Sequence, residues 1–408
     1  MSKERNSDCL TSRPYRLINT IQHYEWGTRN EYAYIADLLG VTPEPGQPFA
    51  ELWMGVHPNA PSQIIDPEHG PCDFSNWISD NPHKHLSEHD KFSTLPYLLK
   101  ILSAGEALSI QAHPNKRQAE SLHKSDPEHY PDDNHKPEIA IALDSLDALV
   151  GFISNQEYSE LLDTTPELNL LVRNIEIPAN NLQEGVQKLF HLWETDRKSF
   201  ADTSRKIHER LTLKSIPDET EQLFLRQFDK RGPEDIGLIF LFFLQRVHLE
   251  PGDAVFLAPG VPHAYLSGNI IECMANSDNV VRLGLTNKFC DVNALSDILV
   301  YDELADYRIV PDKLGFVSEY GSPAKEFKVK LLDLPEGEAE SFTSRTSLSM
   351  FIVIAGEISL HWGGDNESCT CVFKRGHSFI APANLPEFKI RARHGSKLFY
   401  VEIPDLEI

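Results

Sequence analysis

Gln111 and His113 stand two positions apart in ALSIQAHPNKR, residues 107–117, where an apolar stretch runs into polar side chains. Because alternate residues of a β-strand point to the same face, both side chains are expected on one side of the strand. Histidine is a common metal ligand but a neutral amide oxygen is a weak one, so chemistry alone favours a hydrogen-bonding role for Gln111. The same chemistry leaves His113 open between a metal ligand and a structural residue.

Glu138 is a second candidate ligand. It lies in DDNHKPEIAIAL, residues 132–143, where a charged loop gives way to an apolar run. Most charged loops are solvated turns, and that interpretation covers Asp132 and Asp133. Glu138 itself leads directly into a strand that we expect to be buried, where an unpaired carboxylate is costly.

A third segment, residues 258–289, carries His263 after two prolines, Glu272 within an apolar strand, and the basic residues Arg282 and Lys288. Two histidines, one glutamate and a fourth ligand or water form a zinc or iron site with nitrogen and oxygen donors. The three segments are far apart in the chain, so only the fold can bring them together.

The pattern of apolar, Pro and Gly residues along the chain predicts the strands and helices that position these residues. Residues 14 to about 150 mix short apolar stretches with Pro and Gly turns, which indicates an irregular β-rich region. Within it, Pro114 is expected in the first turn of a short helix through KRQAESLH. Apolar residues at helical spacing follow from about 153 to 248, including DETEQLFLRQF and EDIGLIFLFFLQRV. Strand texture then returns and continues to the C-terminus.

A weak internal repeat relates residues 252–259 to residues 376–382, which share Gly, Phe and Ala-Pro. The second copy has no counterpart of His263, so we expect a structural role for the C-terminal β region. Chance similarity between two strands bounded by turns is the alternative.

Composition limits the classes of function. With 408 residues, the chain should divide into two or three domains. The 61 acidic residues outnumber the 38 basic ones and give a net charge of −23, which disfavours binding to nucleic acid or anionic lipid. A small anionic substrate would therefore need a local basic pocket.

The cysteines and the N-terminus predict a cytoplasmic protein. The six cysteines show neither a CxxC pair nor the density of a disulfide scaffold. MSKERNSDCLTSRPYRL lacks an apolar core of signal-peptide length, and the strongest apolar run, residues 237–244, is too short to span a bilayer.

Taken in order, the motifs resemble the type I mannose-6-phosphate isomerases, also called phosphomannose isomerases. The matching motifs span nearly the whole chain: IQHYEWG, AELWMGVHPNAPS, LSIQAHPNK, DDNHKPE, PHAYLSG and ANSDNVVRLGLTNKF. The resemblance implies an aldose–ketose isomerase that interconverts mannose 6-phosphate and fructose 6-phosphate with one Zn²⁺ per chain. It also implies a role in carbohydrate metabolism, either in mannose activation, as in GDP-mannose biosynthesis, or in mannose catabolism.

The resemblance implies a fold that is mainly β with α: cupin-type jelly-roll β-barrel domains plus an inserted helical domain. We expect the catalytic cupin domain to comprise residues 14–152 and 249–320, with the helical domain at residues 153–248 between them. Residues 321–408 are expected to form a degenerate, cupin-like C-terminal β domain. We expect the chain to be a monomer whose partner is a small sugar phosphate.

Carried over position by position, the resemblance places the zinc ligands at Gln111, His113, Glu138 and His263. It thereby overturns the chemical preference against Gln111. The essential active-site arginine falls on Arg282, a catalytic candidate that would either hold negative charge in the transition state or steer the phosphate.

The resemblance places the basic residues of the family's substrate pocket at Lys136 and Lys288. Ser109 matches a position associated with binding of the substrate phosphate, and Lys100 is a further candidate for that role. The chain departs from the family at Asn287, where proline is usual, and this leaves the shape of the loop near Lys288 open.

Aldose–ketose isomerisation moves a proton between C1 and C2, most simply through an enediol, and needs a base, an acid and stabilisation of an oxyanion. A zinc ion with two histidines, one glutamate and a neutral Gln keeps a net positive charge and suits the last task. Glu272 and Lys136 are both candidates for the base. Alternatively, Glu272 is a structural carboxylate paired with Arg282 or a lysine.

Two other classes of function share parts of this pattern. An oxygen-dependent enzyme would use a similar site of two histidines and a carboxylate but would need a redox metal such as iron. A sugar-binding or regulatory protein would be expected to lose ligands or basic residues, and this chain keeps them all.

Overall fold

The computed structural model describes residues 12–176, 180–302, 306–343, 346–363, 369–385 and 387–405. Within those residues the chain is mainly β with helices, as the sequence predicts. The strands are β1 (Tyr15–Ile18), β2 (Thr20–Gln22), β3 (Thr28–Arg29), β4 (Pro48–Phe49), β5 (Glu51–Met54), β6 (Gln63–Asp66), β7 (Gly70–Asp73), β8 (Tyr97–Ala104), β9 (Ile110–Ala112), β10 (Glu138–Ala142), β11 (Leu146–Phe152), β12 (Leu244–Leu249), β13 (Ala254–Leu257), β14 (His263–Ala275), β15 (Val281–Gly284), β16 (Arg308–Ile309), β17 (Asp312–Leu314), β18 (Val317–Tyr320), β19 (Lys328–Leu334), β20 (Ala339–Phe342), β21 (Ser349–Ala355), β22 (Glu357–Trp362), β23 (Cys369–Lys374), β24 (Ser378–Ala381), β25 (Phe388–Ala392) and β26 (Ser396–Glu402).

The helices are α1 (Tyr34–Leu39), α2 (Phe74–Asp80), α3 (Pro82–Leu86), α4 (Lys116–Ser125), α5 (Asn155–Thr164), α6 (Pro166–Asn174), α7 (Leu182–Thr195), α8 (Arg197–Thr212), α9 (Glu219–Arg231), α10 (Gly237–Phe240) and α11 (Val292–Ile298). Two 3₁₀ turns lie at Asn30–Tyr32 and Ser87–Phe92. Helix α4 confirms the helix expected after the QAHP motif, but Asn115 is its N-cap and forms a capping box with Gln118. Pro114 therefore precedes the cap and does not lie in the first turn.

The segment between β11 and β12 is helical, as predicted, and its helices begin at capping residues. Ser154 caps α5 and Asp218 caps α9, each in a capping box with a glutamate three residues later. The prediction of helix through EDIGLIFLFFLQRV is wrong after Phe240, because β12 begins at Leu244 and pairs antiparallel with β11. A short, uniformly apolar run has no period that distinguishes a buried helix from a buried strand.

Two large sheets form most of the β structure. The nine-stranded sheet has the order β17-β18-β19-β26-β21-β24-β1-β6-β7, and the eleven-stranded sheet contains the path β16-β13-β10-β14-β8-β5-β2 with β9, β11, β12 and β15 attached. A four-stranded sheet, β20-β25-β22-β23, lies in the C-terminal region. Every strand pair in the described part of the chain is antiparallel.

One apolar core joins the two large sheets. Leu99, Ile139 and Ile271 of the eleven-stranded sheet belong to the same buried cluster as Met350 and Val401 of the nine-stranded sheet. Because side chains alternate along a strand, the residues next to them in β8, β10 and β14 point to the opposite face. That opposite face carries Lys100, Glu138 and Glu272, and the apolar core thus fixes the orientation of the functional side chains.

Hydrogen bonding crosses the domain boundaries predicted from the sequence. Strand β18, which ends at Tyr320, pairs with β19 of the C-terminal region, and β1 at the start of the chain pairs with β24. The division at 152, 248 and 320 stays a prediction.

Within the described residues, no helix has the length and apolar character needed to cross a membrane. The described cysteines, Cys72, Cys273, Cys290, Cys369 and Cys371, are all free thiols, and Cys9 lies outside the described residues.

Candidate functional site

Strand β9 places Gln111 between two other predicted site residues. In the antiparallel register, Gln111 lies opposite His263 of β14 on one side and opposite Arg282 of β15 on the other. The side-chain amide nitrogen of Gln111 is 3.5 Å from Nε2 of His263. A turn of the amide by 180° would present its oxygen at the same place, so the fold brings Gln111 to the site that the resemblance assigns to it.

His113, Glu138 and His263 form a compact group whose ligand atoms all lie within 4.8 Å of one another. Nε2 of His113 is 3.4 Å from Oε1 of Glu138, and Nε2 of His263 is 3.4 Å from Oε2 of Glu138. The three residues are buried. Three segments that are distant in sequence thus present three metal-ligating groups to one point.

Each histidine is oriented by a hydrogen bond from Nδ1 to a backbone carbonyl, that of Asn279 for His113 and that of Val261 for His263. A carbonyl only accepts hydrogen bonds, so Nδ1 carries the proton and the lone pair of Nε2 faces Glu138. Nε2 of His113 and Oε2 of Glu138 are buried without a hydrogen-bond partner among the described residues. Such atoms are costly unless a ligand satisfies them, and this donor set fits a zinc ion.

The protonation states also favour metal binding. Burial lowers the pKa of His113 to about 4, so its ring is neutral at pH 7. Burial alone would raise the pKa of Glu138, but His113 and Lys136 hold it well below its usual range. Nζ of Lys136 is 3.3 Å from Oε1 of Glu138. A neutral imidazole and an ionised carboxylate are the forms that bind metal ions.

Glu272 is paired with a lysine, which is one of the two roles that the sequence left open for it. Its Oε2 accepts a hydrogen bond from Nζ of Lys100 at 3.0 Å, and Oε1 of Glu51 lies 3.7 Å from the same nitrogen. Burial raises the pKa of Glu272, although Lys100 opposes that effect. Burial alone would lower the pKa of Lys100, but the two carboxylates raise it above its usual value.

Eight of the ten predicted site residues line one cavity of about 480 Å³. Its wall includes Lys100, Ser109, Gln111, Lys136, Glu138, Glu272, Arg282, Asn287 and Lys288. His113 and His263 are buried and do not line the cavity, but each lies beside Glu138, which does. A cavity of this size with polar groups on its wall suits a small molecule.

Three cations of the cavity wall have no carboxylate partner among the described residues. Among the described residues, no Asp or Glu oxygen lies within 4.0 Å of the charged nitrogens of Arg231, Arg282 or Lys288. Burial lowers the pKa of Arg282, and burial together with repulsion from Arg282 lowers that of Lys288. Uncompensated, partly buried cations are suited to an anionic group of a ligand.

The sequence reasoning missed several residues of the cavity wall. Arg231, the last residue of α9, has no pattern around it that distinguishes it from the other arginines of the helical segment. Six further wall residues lie in the motifs IQHYEWG and AELWMGVHP, which could have indicated them. They are Tyr24, Glu25, Trp26, Glu51, Trp53 and His57.

Asp132, which the sequence suggested was part of a solvated turn, connects two loops of the site. Its carboxylate accepts hydrogen bonds from the hydroxyl of Ser277, the backbone N–H of Asp278 and the side-chain amide of Asn279. The loop that carries Lys136 is thereby joined to the loop whose Asn279 carbonyl orients His113.

Comparisons with known proteins identify similar sequences and a similar solved structure. Residues 15–154 match the model of the family "Phosphomannose isomerase type I, catalytic domain". The chain is 36% identical over 401 residues to mannose-6-phosphate isomerase 2 of Arabidopsis thaliana, covering 91% of this chain and 89% of that protein. It is 34% identical over 373 residues to the mannose-6-phosphate isomerase of Homo sapiens, covering 85% of this chain and 88% of that protein.

A similar solved structure is that of mannose 6-phosphate isomerase from Salmonella typhimurium bound to fructose 6-phosphate and zinc. The TM-score is 0.84 at 29% sequence identity, with 96% of this chain and 100% of that chain covered.

Proposed function

The chain belongs to the type I mannose-6-phosphate isomerases, and from that premise we propose that it interconverts D-mannose 6-phosphate and D-fructose 6-phosphate with zinc, by proton transfer through an enediol. It is an aldose–ketose isomerase. The observation that carries the finer proposal is that Glu138, which belongs to the buried group with His113 and His263, lines the same cavity as the uncompensated cations Arg282 and Lys288.

We propose Gln111, His113, Glu138 and His263 as the residues that hold the zinc ion. When bound, zinc would act as a Lewis acid that stabilises the negative charge developing on a substrate oxygen. The hydrogen bonds from Nδ1 of the two histidines keep their Nε2 atoms directed at the site.

The phosphate group is assigned to the part of the cavity wall formed by Arg282, Lys288 and Arg231, which would bind it, with Ser109 as a hydroxyl donor. The support is the lack of carboxylate partners for these three cations. Lys100 is less suited to the phosphate than the sequence suggested, because Glu272 and Glu51 already compensate its charge.

Proton transfer between C1 and C2 is left to Glu272 and Lys136, which both line the cavity. The ionised carboxylate of Glu272 would accept the proton, and the hydrogen bond from Lys100 would keep the Glu272 side chain in position. Lys136 is the alternative base, and its contact with Glu138 fixes its position relative to the metal ligands. Replacing each residue separately, as Glu272→Gln and Lys136→Met, should lower kcat by a factor of about 10² or more for the true base.

A coupled assay for fructose 6-phosphate formed from mannose 6-phosphate tests the proposal directly. We expect activity to fall on chelation and to return when zinc is added back. Metal analysis of the purified protein provides an independent measurement, and stoichiometric iron without zinc would contradict the assignment and favour an oxygen-dependent enzyme. His263→Ala should abolish zinc binding and activity together.

The enediol route is tested by isotope exchange. In the enediol route, the base holds the proton taken from C2, and that proton can exchange with solvent before it is returned. Label from deuterated water should therefore appear in the product. Complete retention of the original hydrogen over many turnovers would favour a hydride shift instead.

The remaining proposals concern the chain as a whole. We propose that it acts as a monomer in the cytoplasm on a sugar phosphate and does not bind nucleic acid. A molar mass of about 46.2 kDa by light scattering would support the monomer, whereas twice that mass would contradict it.

A further inference from the structure

Asp235 lies in the connection between α9 and α10 and does not line the cavity. Its carboxylate accepts hydrogen bonds from backbone N–H groups of another segment. Oδ1 accepts hydrogen bonds from the N–H groups of Gly237 and Leu285, both at 2.8 Å. Oδ2 accepts a hydrogen bond from the N–H of Thr286 at 3.1 Å. One side chain thus joins the helical segment to the loop that follows β15.

The loop has an unusual backbone conformation at the residue that Asp235 holds. Leu285 has φ of +56°, in the left-handed region that side chains other than glycine rarely adopt. Such a conformation costs free energy and persists where neighbouring contacts enforce it. Two contacts do so here, because the Leu285 side chain is buried in the core of the helical segment and its N–H is bound by Asp235.

Two glycines allow the helical segment to approach the loop this closely. A Cβ on Gly284 would lie 2.2 Å from the backbone nitrogen of Gly237, and a Cβ on Gly237 would lie 2.5 Å from that of Leu285. No side chain fits between the two backbones. The backbones of Gly237 and Gly284 are therefore in direct contact, and this contact places Asp235 beside Leu285 and Thr286.

The hydrogen bonds continue from this junction to a cation of the cavity. Oγ1 of Thr286 accepts a hydrogen bond from the N–H of Lys288 at 3.1 Å. Thr286 and Lys288 line the cavity together with Arg282, which precedes Gly284 in β15. The position of both cations therefore depends on the conformation of residues 284–286.

We propose that Asp235 is a positioning residue for substrate binding: it fixes the loop of residues 284–288 so that Lys288 and Arg282 meet the phosphate group of the substrate. This inference rests on the proposed function, because it assumes that those cations bind the phosphate. Asp235 itself acts through the backbone and does not touch the substrate.

The test compares Asp235→Ala and Asp235→Asn with Thr286→Val in the zinc-loaded enzyme. The asparagine keeps one acceptor oxygen but places an NH₂ group opposite a backbone N–H, so its effect should be intermediate. Thr286→Val removes only the acceptor for Lys288. Asp196→Asn, which weakens the N-cap of α8 without touching the loop, is the matched control.

We expect Asp235→Ala to raise KM for mannose 6-phosphate on the order of tenfold, as for weakened hydrogen bonds near charged groups, with kcat and zinc content little changed. The Kd for inorganic phosphate, measured by calorimetry, should rise in parallel. The effect of Asp235→Asn should lie in between, and Asp196→Asn should match the wild type. An unchanged KM and phosphate Kd in a folded Asp235 variant would overturn the proposal, as would a loss of kcat and zinc at constant KM.

If Asp235→Ala does not fold, Asp235→Asn and Thr286→Val decide by the same criteria. Calorimetry with inorganic phosphate also separates this inference from the proposed function, because it requires no turnover. A wild-type protein that binds phosphate but does not isomerise mannose 6-phosphate would refute the function and leave the role of Asp235 measurable.

Discussion

Lys100 and Glu272 face each other across the paired strands β8 and β14, with Nζ of the lysine 3.0 Å from Oε2 of the glutamate. Glu51 of β5 reaches the same ammonium group at 3.7 Å. All three side chains are buried, so one lysine compensates two carboxylates in the wall of the cavity. The charge state of each of these three residues therefore depends on the other two.

Removing the shared cation should destabilise the fold more than removing one of its partners. Lys100→Met leaves two buried carboxylates without compensation, whereas Glu272→Gln leaves the lysine with Glu51. We expect a loss of about 3–5 kcal/mol for Lys100→Met, the usual range for breaking a buried ion pair, and a smaller loss for Glu272→Gln. Denaturant unfolding of the two variants measures the difference. Equal losses would indicate that Glu51 does not share the lysine charge.

Gln111 should contribute less to zinc affinity than the histidines, because it is a neutral amide beside two imidazoles and a carboxylate. We expect Gln111→Ala to bind zinc more weakly but to be restored by excess zinc, whereas His263→Ala should stay without metal. Zinc content after dialysis against graded zinc concentrations measures this order. Normal zinc affinity in Gln111→Ala would remove Gln111 from the ligand set.

Arg231 should affect binding of the phosphate rather than the chemistry. We expect Arg231→Met to raise KM for mannose 6-phosphate on the order of tenfold, as for loss of a charge-assisted contact, with zinc content unchanged. The matched control is Arg226→Met, since Arg226 is an exposed residue of the same helix that does not line the cavity. Similar kinetics in the two variants would exclude a role for Arg231 in the site.

His85 should make the stability of the protein pH-dependent. Its ring stacks on Trp77 with a centroid distance of 3.4 Å, and burial lowers its pKa from 6.5 to about 4. Above pH 6.5 the ring is neutral in both the folded and the unfolded chain. As the pH falls from 6.5 towards 4, the unfolded chain binds a proton that the folded chain excludes, so stability falls.

Replacing His85 by phenylalanine keeps an aromatic ring beside Trp77 and removes this titration. The Tm of His85→Phe relative to that of the wild type should therefore rise as the pH is lowered through this range. His191→Phe, at an exposed position, provides the control and should show no such trend. A constant Tm difference for His85→Phe would show that the ring does not titrate in this way.

Residue chemistry alone favoured a hydrogen-bonding role for Gln111 and left His113 open, and the full ligand set came only from the resemblance carried by the ordered motifs. The alternation of side chains places Gln111 and Glu138 on faces that the flanking apolar residues determine. What the alternation does not give is register, which depends on hydrogen bonds between strands far apart in the chain. That His263 and Arg282 flank Gln111 is a property of the paired strands.

Other features of the site and the fold could not be predicted from the sequence because tertiary packing alone determines them. Arg231 reaches the cavity because α9 ends there, and Asp235 acts on a loop about fifty positions later in the chain through backbone atoms that carry no residue-specific pattern. The strand at Leu244 was predicted as helix because its apolar residues suit either element, and only pairing with β11 decides between them.

The pairing of β1 with β24 has a consequence for how the protein is made. A hydrogen bond between Asn19 and Ser378 spans 359 positions of the chain, and one edge of β1 has no partner until β24 has been synthesised. Closing so long a loop is entropically costly, and an open strand edge can pair with other chains in the meantime. A ribosome-bound chain that stops before residue 378 should therefore expose one edge of β1 and should be more prone to aggregation than the complete chain.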